Sequence, residues 1–167
     1  MLKKLFLSLI LATFLLTPNI SSAKFYHQSI GGDPLALAFG TLTVTYEQQV
    51  APKNSFTIFG SFWGYNDWTA GGIGASYRFY LLQQSVRALE GFSFGPFLQV
   101  SYWSYSNPHY SYDGGTGFAI GGEAAYKWVF GGGFEVEPNI HISFPITTIT
   151  GLSYRGTWLG VTLGYAW

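Results

Sequence analysis

Seven residues of this chain carry charge or an imidazole within stretches where every second residue is apolar: Glu47, Arg78, Glu123, Lys127, Glu135, Glu137 and His141. Such an acid-rich set suits two kinds of chemistry. It can hold or relay a proton or a cation, with His141 as a titrating partner. Alternatively the charges pair with one another as a hydrogen-bonded polar plug, because buried charges must be paired to offset lost hydration. The plug is the favoured reading, since buried ion-pair networks are often purely structural. Glu135, Glu137 and His141 could supply metal ligands, but their spacing matches no zinc or calcium pattern, so neither metal nor cofactor is expected. Ser106, His109, Ser111 and Asp113 bring hydrolase residue types into one polar stretch. A triad needs a geometry that spacing does not supply, and no catalytic residue is assigned. The glycines lie within alternating segments and turns, unlike a phosphate-binding loop.

The elements that must position these residues alternate with period two from Lys24 onward, and no 3.6-residue repeat persists over a helix length. The first strand is placed at Gln28 to Ala38, with Pro34 near the end of pairing or at a bulge and Phe39-Gly40 as a tight turn. The second, Thr41 to Val50, points Leu42, Val44 and Tyr46 one way and Thr41, Thr43, Thr45 and Glu47 the other. Further strands follow at 55–64, 70–82, 91–105 and 117–130, then from Phe134 up to a Thr-rich loop at 145–153, and finally from Tyr154 to the terminus. Gly131-Gly132-Gly133 turns one hairpin sharply, which should make Lys127 and Glu135 cross-strand neighbours. The stretch 106–116 is the largest loop.

The bulky stripes, such as Phe92, Phe94, Leu98, Val100 and Tyr102, are backed by faces of Gly, Ser, Thr and the few charges. That is an inside-out arrangement, apolar outside and polar inside, as in a membrane barrel. A secreted lipocalin-like ligand-binding barrel would show the reverse pattern. Composition agrees: 20% of residues are aromatic and only 10% charged, where soluble domains carry roughly 25% charge. Lys3 and Lys4, the apolar run Leu5 to Leu16 and Ser21-Ser22-Ala23 form a secretory signal pattern, with cleavage expected between Ala23 and Lys24. The expected domains are a signal peptide at 1–23 and a barrel at 24–167. Without cysteine, neither a disulfide scaffold nor a lipid-anchored thiol is available. The mature segment has no basic run, which argues against nucleic-acid binding.

The chain closes Leu159-Gly160-Val161-Thr162-Leu163-Gly164-Tyr165-Ala166-Trp167, an apolar stripe ending in aromatics. This resembles the terminal signal read by the barrel-assembly machinery, with Thr162 standing where that motif has Gly. Pro34-Leu35-Ala36-Leu37, Thr41 to Glu47, Tyr77-Arg78-Phe79-Tyr80, Gly95-Pro96-Phe97, Gly121 to Trp128 and Gly164 to Trp167 together resemble a family of small Gram-negative outer-membrane-type barrels of unknown function. The resemblance implies an eight-stranded antiparallel up-and-down transmembrane β-barrel in the cell outer membrane and brings no catalytic residues. Both termini would be periplasmic, with Tyr46, Phe79, Trp128, Tyr165 and Trp167 in an aromatic girdle. Eight strands enclose an interior just wide enough for side chains. The expected role is structural or surface-interacting, as a monomer among outer-membrane lipid and lipopolysaccharide, assembled through Tyr165 and Trp167. The catalytic alternative is a lipid A-modifying enzyme. His27 and Ser29 form a His-x-Ser pair but lack the neighbours expected of lipid A deacylase barrels.

Overall fold

Period-two alternation with one polar and one apolar face has a single closed solution, in which the sheet curls until its edges meet. The computed structural model describes residues 26–65, 67–81, 89–107, 110–112, 114–147 and 156–167. The expected leader and its cleavage residues Ala23 and Lys24 lie outside them. The strands are β1 (Gln28–Gly32), β2 (Thr41–Ala51), β3 (Asn54–Tyr65), β4 (Trp68–Tyr80), β5 (Gly91–Asn107), β6 (Tyr110–Tyr112), β7 (Thr116–Val129), β8 (Phe134–Pro145) and β9 (Gly156–Ala166). All neighbours are antiparallel in the order β4-β3-β2-β1-β9-β8-β7-β5, and β4 pairs with β5 to close the ring. β6 adds only a short arm on the far end of β5. The result is an eight-stranded barrel.

Both described ends of the chain meet at one rim. The amides of His27 and Gln28 donate to the Trp167 carbonyl at 2.9 and 3.1 Å, and the Trp167 amide donates to Gln28 at 2.9 Å. The turn after β2 and the Gly131–Gly133 turn share this rim, and the Ala166 amide donates to the Gly133 carbonyl at 2.7 Å. Along β5, Phe94, Pro96 and Leu98 are exposed while Ser93, Gly95 and Phe97 are buried, and the same alternation runs through β4, β7 and β8. The exterior is therefore a belt of Leu, Ile, Val and aromatic side chains, the charges of β2, β4, β7 and β8 are inside, and Lys53 and Asp67 are exposed in turns.

The first strand departs from the sequence expectation. Pairing of β1 stops at Gly32, and residues Pro34–Ala38 form a short helix, α1. Asp33 is its N-cap, accepting from the amides of Leu35 and Ala36 at 2.8 and 3.0 Å, and Pro34 occupies the first turn. Aspartate followed by proline is a strong helix start, and Leu-Ala-Leu-Ala sustains the turn. The other barrel strands begin and end within two residues of expectation. In the expected large loop, β5 runs on to Asn107 and pairs with β6. Residues 148–155, which take in most of the Thr-rich loop and the first two residues of the expected last strand, lie outside the described residues.

Candidate functional site: an ionic core in the lumen

Strand register brings all seven sequence-predicted lumen residues into one cluster, although they come from four strands and span almost a hundred positions. Arg78 on β4 is its first hub. Its Nε donates to Glu123 Oε1 at 2.7 Å, and its Nη1 donates to Glu47 and to Glu137, both at 3.0 Å. Lys127 on β7 is the second, with Nζ at 2.6 Å from Glu47, 3.1 Å from Glu137 and 3.2 Å from Glu135. Glu47 and Glu137 are thus shared between the two cations. Glu123 belongs to Arg78 alone, and Glu135 to Lys127 alone. All six side chains are almost fully buried.

Neutral groups complete the coordination. Tyr80 donates its hydroxyl to Glu47 at 2.7 Å, Ser55 also donates to Glu47, and Lys127 donates to the Ser29 hydroxyl at 3.0 Å. These satisfy lone pairs that ion pairing leaves over, the condition under which buried charges persist. His141 faces Glu123 directly across the β7–β8 ladder, with Nδ1 3.5 Å from Oε2. Its ring stacks on Trp158 with centroids 4.6 Å apart and an angle of 6°. Phe59 and Phe97 meet it edge-on, at 6.3 and 5.5 Å, and complete an aromatic layer over the ionic one. Glycines make room for it, because a Cβ at Gly74 would collide with the Phe59 ring and one at Gly121 with the Phe97 ring.

Two details correct the sequence reading. Lys127 is not the ladder partner of Glu135; that position belongs to Val129, and Lys127 reaches along the lumen to the carboxylate. The Gly-rich turn is centred one residue later than expected, which shifts the register by two. The lumen is also not filled throughout. A cavity of about 370 Å³ is lined by Asp33, Thr43, Thr57, Glu123, His141 and Trp158 among others, and it reaches Leu35, Phe39 and Leu159. A second, of about 390 Å³, lies among Trp63, Gln99 and Trp103 toward the rim opposite the termini. The first cavity lies where α1 stands in place of a longer first strand, so no inward strand side chains fill that side.

Sequence reasoning missed Ser29, Ser55 and Tyr80 as partners of the charges. Tyr80 could have been found, since it shares the inward face with Arg78 two residues earlier. Of the hydrolase-type residues, Ser106 and Ser111 are ladder partners in the β5–β6 arm, whereas His109 and Asp113 lie outside the described residues. Glu135 and Glu137 are engaged with cations, and no group of three or more potential ligands is placed to hold a metal among the described residues. Tyr165 and Trp167 stack at 6.3 Å on the outer surface beside the terminal rim, and Phe79 and Trp128 are exposed as the girdle reading expects.

No protein-family model matches the chain, and no curated protein matches it in sequence. The crystal structure of Neisserial surface protein A (NspA) is similar, with a TM-score of 0.55 and 13% sequence identity, over 86% of this chain and 94% of that one. At that identity the likeness concerns the fold, and together with the closed strand order it gives this chain the fold of an eight-stranded outer-membrane-type β-barrel.

Proposed function

We propose that this protein is an outer-membrane barrel of a Gram-negative bacterium with a structural or surface-interaction role and no catalysis. The observation that carries this reading is the inversion of polarity, with charges paired inside and an unbroken apolar belt outside. Such a belt is stable in lipid and a liability in water. It argues against the secreted lipocalin-like alternative. The ion-paired core supports a plug that stiffens the barrel: every carboxylate in it has a cation within 3.2 Å. In the same reading, residues 1–23 are a cleaved signal peptide and the barrel is a monomer bathed in phospholipid and lipopolysaccharide. Tyr165 and Trp167 present the assembly signal, a role favoured by their place on the strand that closes the ring. The resemblance to the family of unknown function belongs to this proposal, and no family model supports it. The name of the similar solved protein agrees with a surface location.

The test is gel mobility of the outer-membrane fraction with and without boiling. A folded barrel migrates faster unboiled and slows after heating. Recovery in the soluble periplasm with no heat shift would overturn the membrane reading.

A further inference from the structure

The seam between β1 and β9 is half a seam. β1 pairs with β9 only from Ser29–Ala166 to Gly32–Leu163, whereas β8 follows β9 as far as Gly156. Beyond Leu163, the β1 side of β9 meets α1 instead of a strand, and α1 packs between β9 and β2. A helix cannot complete the ladder, and the backbone hydrogen bonds of α1 are made within the helix and its C-terminal turn. None of the α1 residues is buried. Leu35, Leu37 and Phe39 are exposed, Phe39 at 83%, and they continue the outer belt beside Leu159 at 75%.

The 370 Å³ cavity sits behind this stretch of wall and is lined from both sides of it. Its outer lining includes Leu35, Phe39 and Leu159. Its inner lining includes Asp33, Arg78, Glu123, His141 and threonine hydroxyls. Inside, Glu123 Oε2, Gln99 Oε1, His141 Nδ1 and the hydroxyls of Thr43 and Thr57 are buried without a hydrogen-bond partner, although each residue lines the cavity, and Glu123 Oε2 and His141 Nδ1 stand 3.5 Å apart. Glu123 is 5% exposed and Thr57 0%. A polar group desolvated without a partner is destabilising, so the carboxylate and amide oxygens favour a donor that enters, and the hydroxyls can accept from it as well.

The sign of that donor follows from the ionic core. The network sets four carboxylates, Glu47, Glu123, Glu135 and Glu137, against two permanent cations, Arg78 and Lys127. Asp33 adds a further carboxylate at the cavity, beside Gly160 and Asn139. Arg78 already serves three carboxylates, leaving little for an anionic head group. A cation is what the site lacks. An inorganic ion would make no use of the apolar outer lining, and the volume lies in the range of small-molecule sites. We propose that the α1 seam is a lateral portal from the lipid, and that the cavity behind it binds an amphiphile with an ammonium head and a single hydrocarbon chain. The head donates to Glu123, Asp33 and the threonine hydroxyls, and the tail leaves between α1 and β9.

This inference rests on the membrane reading, and its test separates the two. The full mature chain is reconstituted in phosphatidylcholine nanodiscs, and insertion is verified by the heat shift on the same sample. Backbone amide NMR then follows titration with decylamine, decanol and decanoic acid, which share a tail and differ in head group. The proposal expects saturable shifts at Asp33, Thr43, Thr57 and Glu123 with decylamine and none with decanoic acid. Asp33→Asn keeps the helix cap, since Asn caps as well as Asp, and should weaken decylamine about tenfold, the scale of one charge-assisted hydrogen bond. Thr43→Val, which leaves the charges untouched, should weaken it to a smaller degree. Equal shifts with all three compounds, or shifts confined to belt residues such as Leu42 and Leu98, would mean partitioning into lipid and overturn the site. No saturable shift would leave the cavity to water and overturn it as well. A chain that fails to insert removes the membrane reading and this inference together.

Discussion

Arg78→Leu offers the sharpest test of how the ionic core is wired. The substitution removes a guanidinium bound to Glu123, Glu47 and Glu137 at 2.7, 3.0 and 3.0 Å. Two of those carboxylates keep Lys127, at 2.6 and 3.1 Å, so only Glu123 is stranded without a permanent cation. Stranding one buried charge destabilises by about 3–5 kcal/mol. Adding Glu123→Gln neutralises the stranded group and should recover about 2 kcal/mol. An unpaired buried amide still costs about 1–3 kcal/mol, so recovery is incomplete. Adding Glu135→Gln instead should rescue nothing, because Glu135 pairs with Lys127 alone. The assay is urea unfolding of the reconstituted barrel in vesicles, followed by tryptophan fluorescence and cross-checked by the heat shift on gels, read as a double-mutant cycle. If Arg78→Leu costs under about 1 kcal/mol, or Glu135→Gln rescues as well as Glu123→Gln, the division into shared and private carboxylates is wrong.

Leu98→Arg places a charge on the outer face of β5, where Leu98 is 57% exposed. In lipid it should lower stability by about 2–4 kcal/mol if it lies at the midplane, measured by the same urea titration; a neutral effect would mean that the belt faces water. Deleting Tyr165 to Trp167 removes the amide and carbonyl that tie β9 to residues 27 and 28. That chain should accumulate unfolded in the periplasm, and normal insertion, seen by fractionation and heat shift, would sink the assembly role of these aromatics.

Much of the architecture was legible because a barrel wall imposes one rule on every residue. Successive side chains point to opposite faces, so Phe94-Gly95-Pro96-Phe97-Leu98 already states which residues face outward and which the lumen. Arg78, Glu123, Lys127 and Glu137 could be assigned to the interior for the same reason, since a charge in an otherwise apolar alternation has only one tolerable direction. The helix at Pro34–Ala38 was written just as plainly in Asp33-Pro34. A strand reading through Gln28 to Ala38 has to take Pro34 as a strand end or a bulge, whereas the cap at Asp33 ends the strand at Gly32.

Alternation alone thus determined the barrel, its inside-out polarity and the membership of its polar face. It could not say which charges touch. Pairing depends on ladder register and on the curvature that brings β2, β4, β7 and β8 around one axis, and a turn centred one residue later moves every contact by two. Nor could a one-dimensional pattern reveal the cavity behind α1, because empty space arises where a strand is missing from a closed wall. Only the tertiary structure decided that Glu47 and Glu137 are shared, that Glu123 faces His141, and that β9 loses β1 as its partner beyond Leu163, where α1 packs against it.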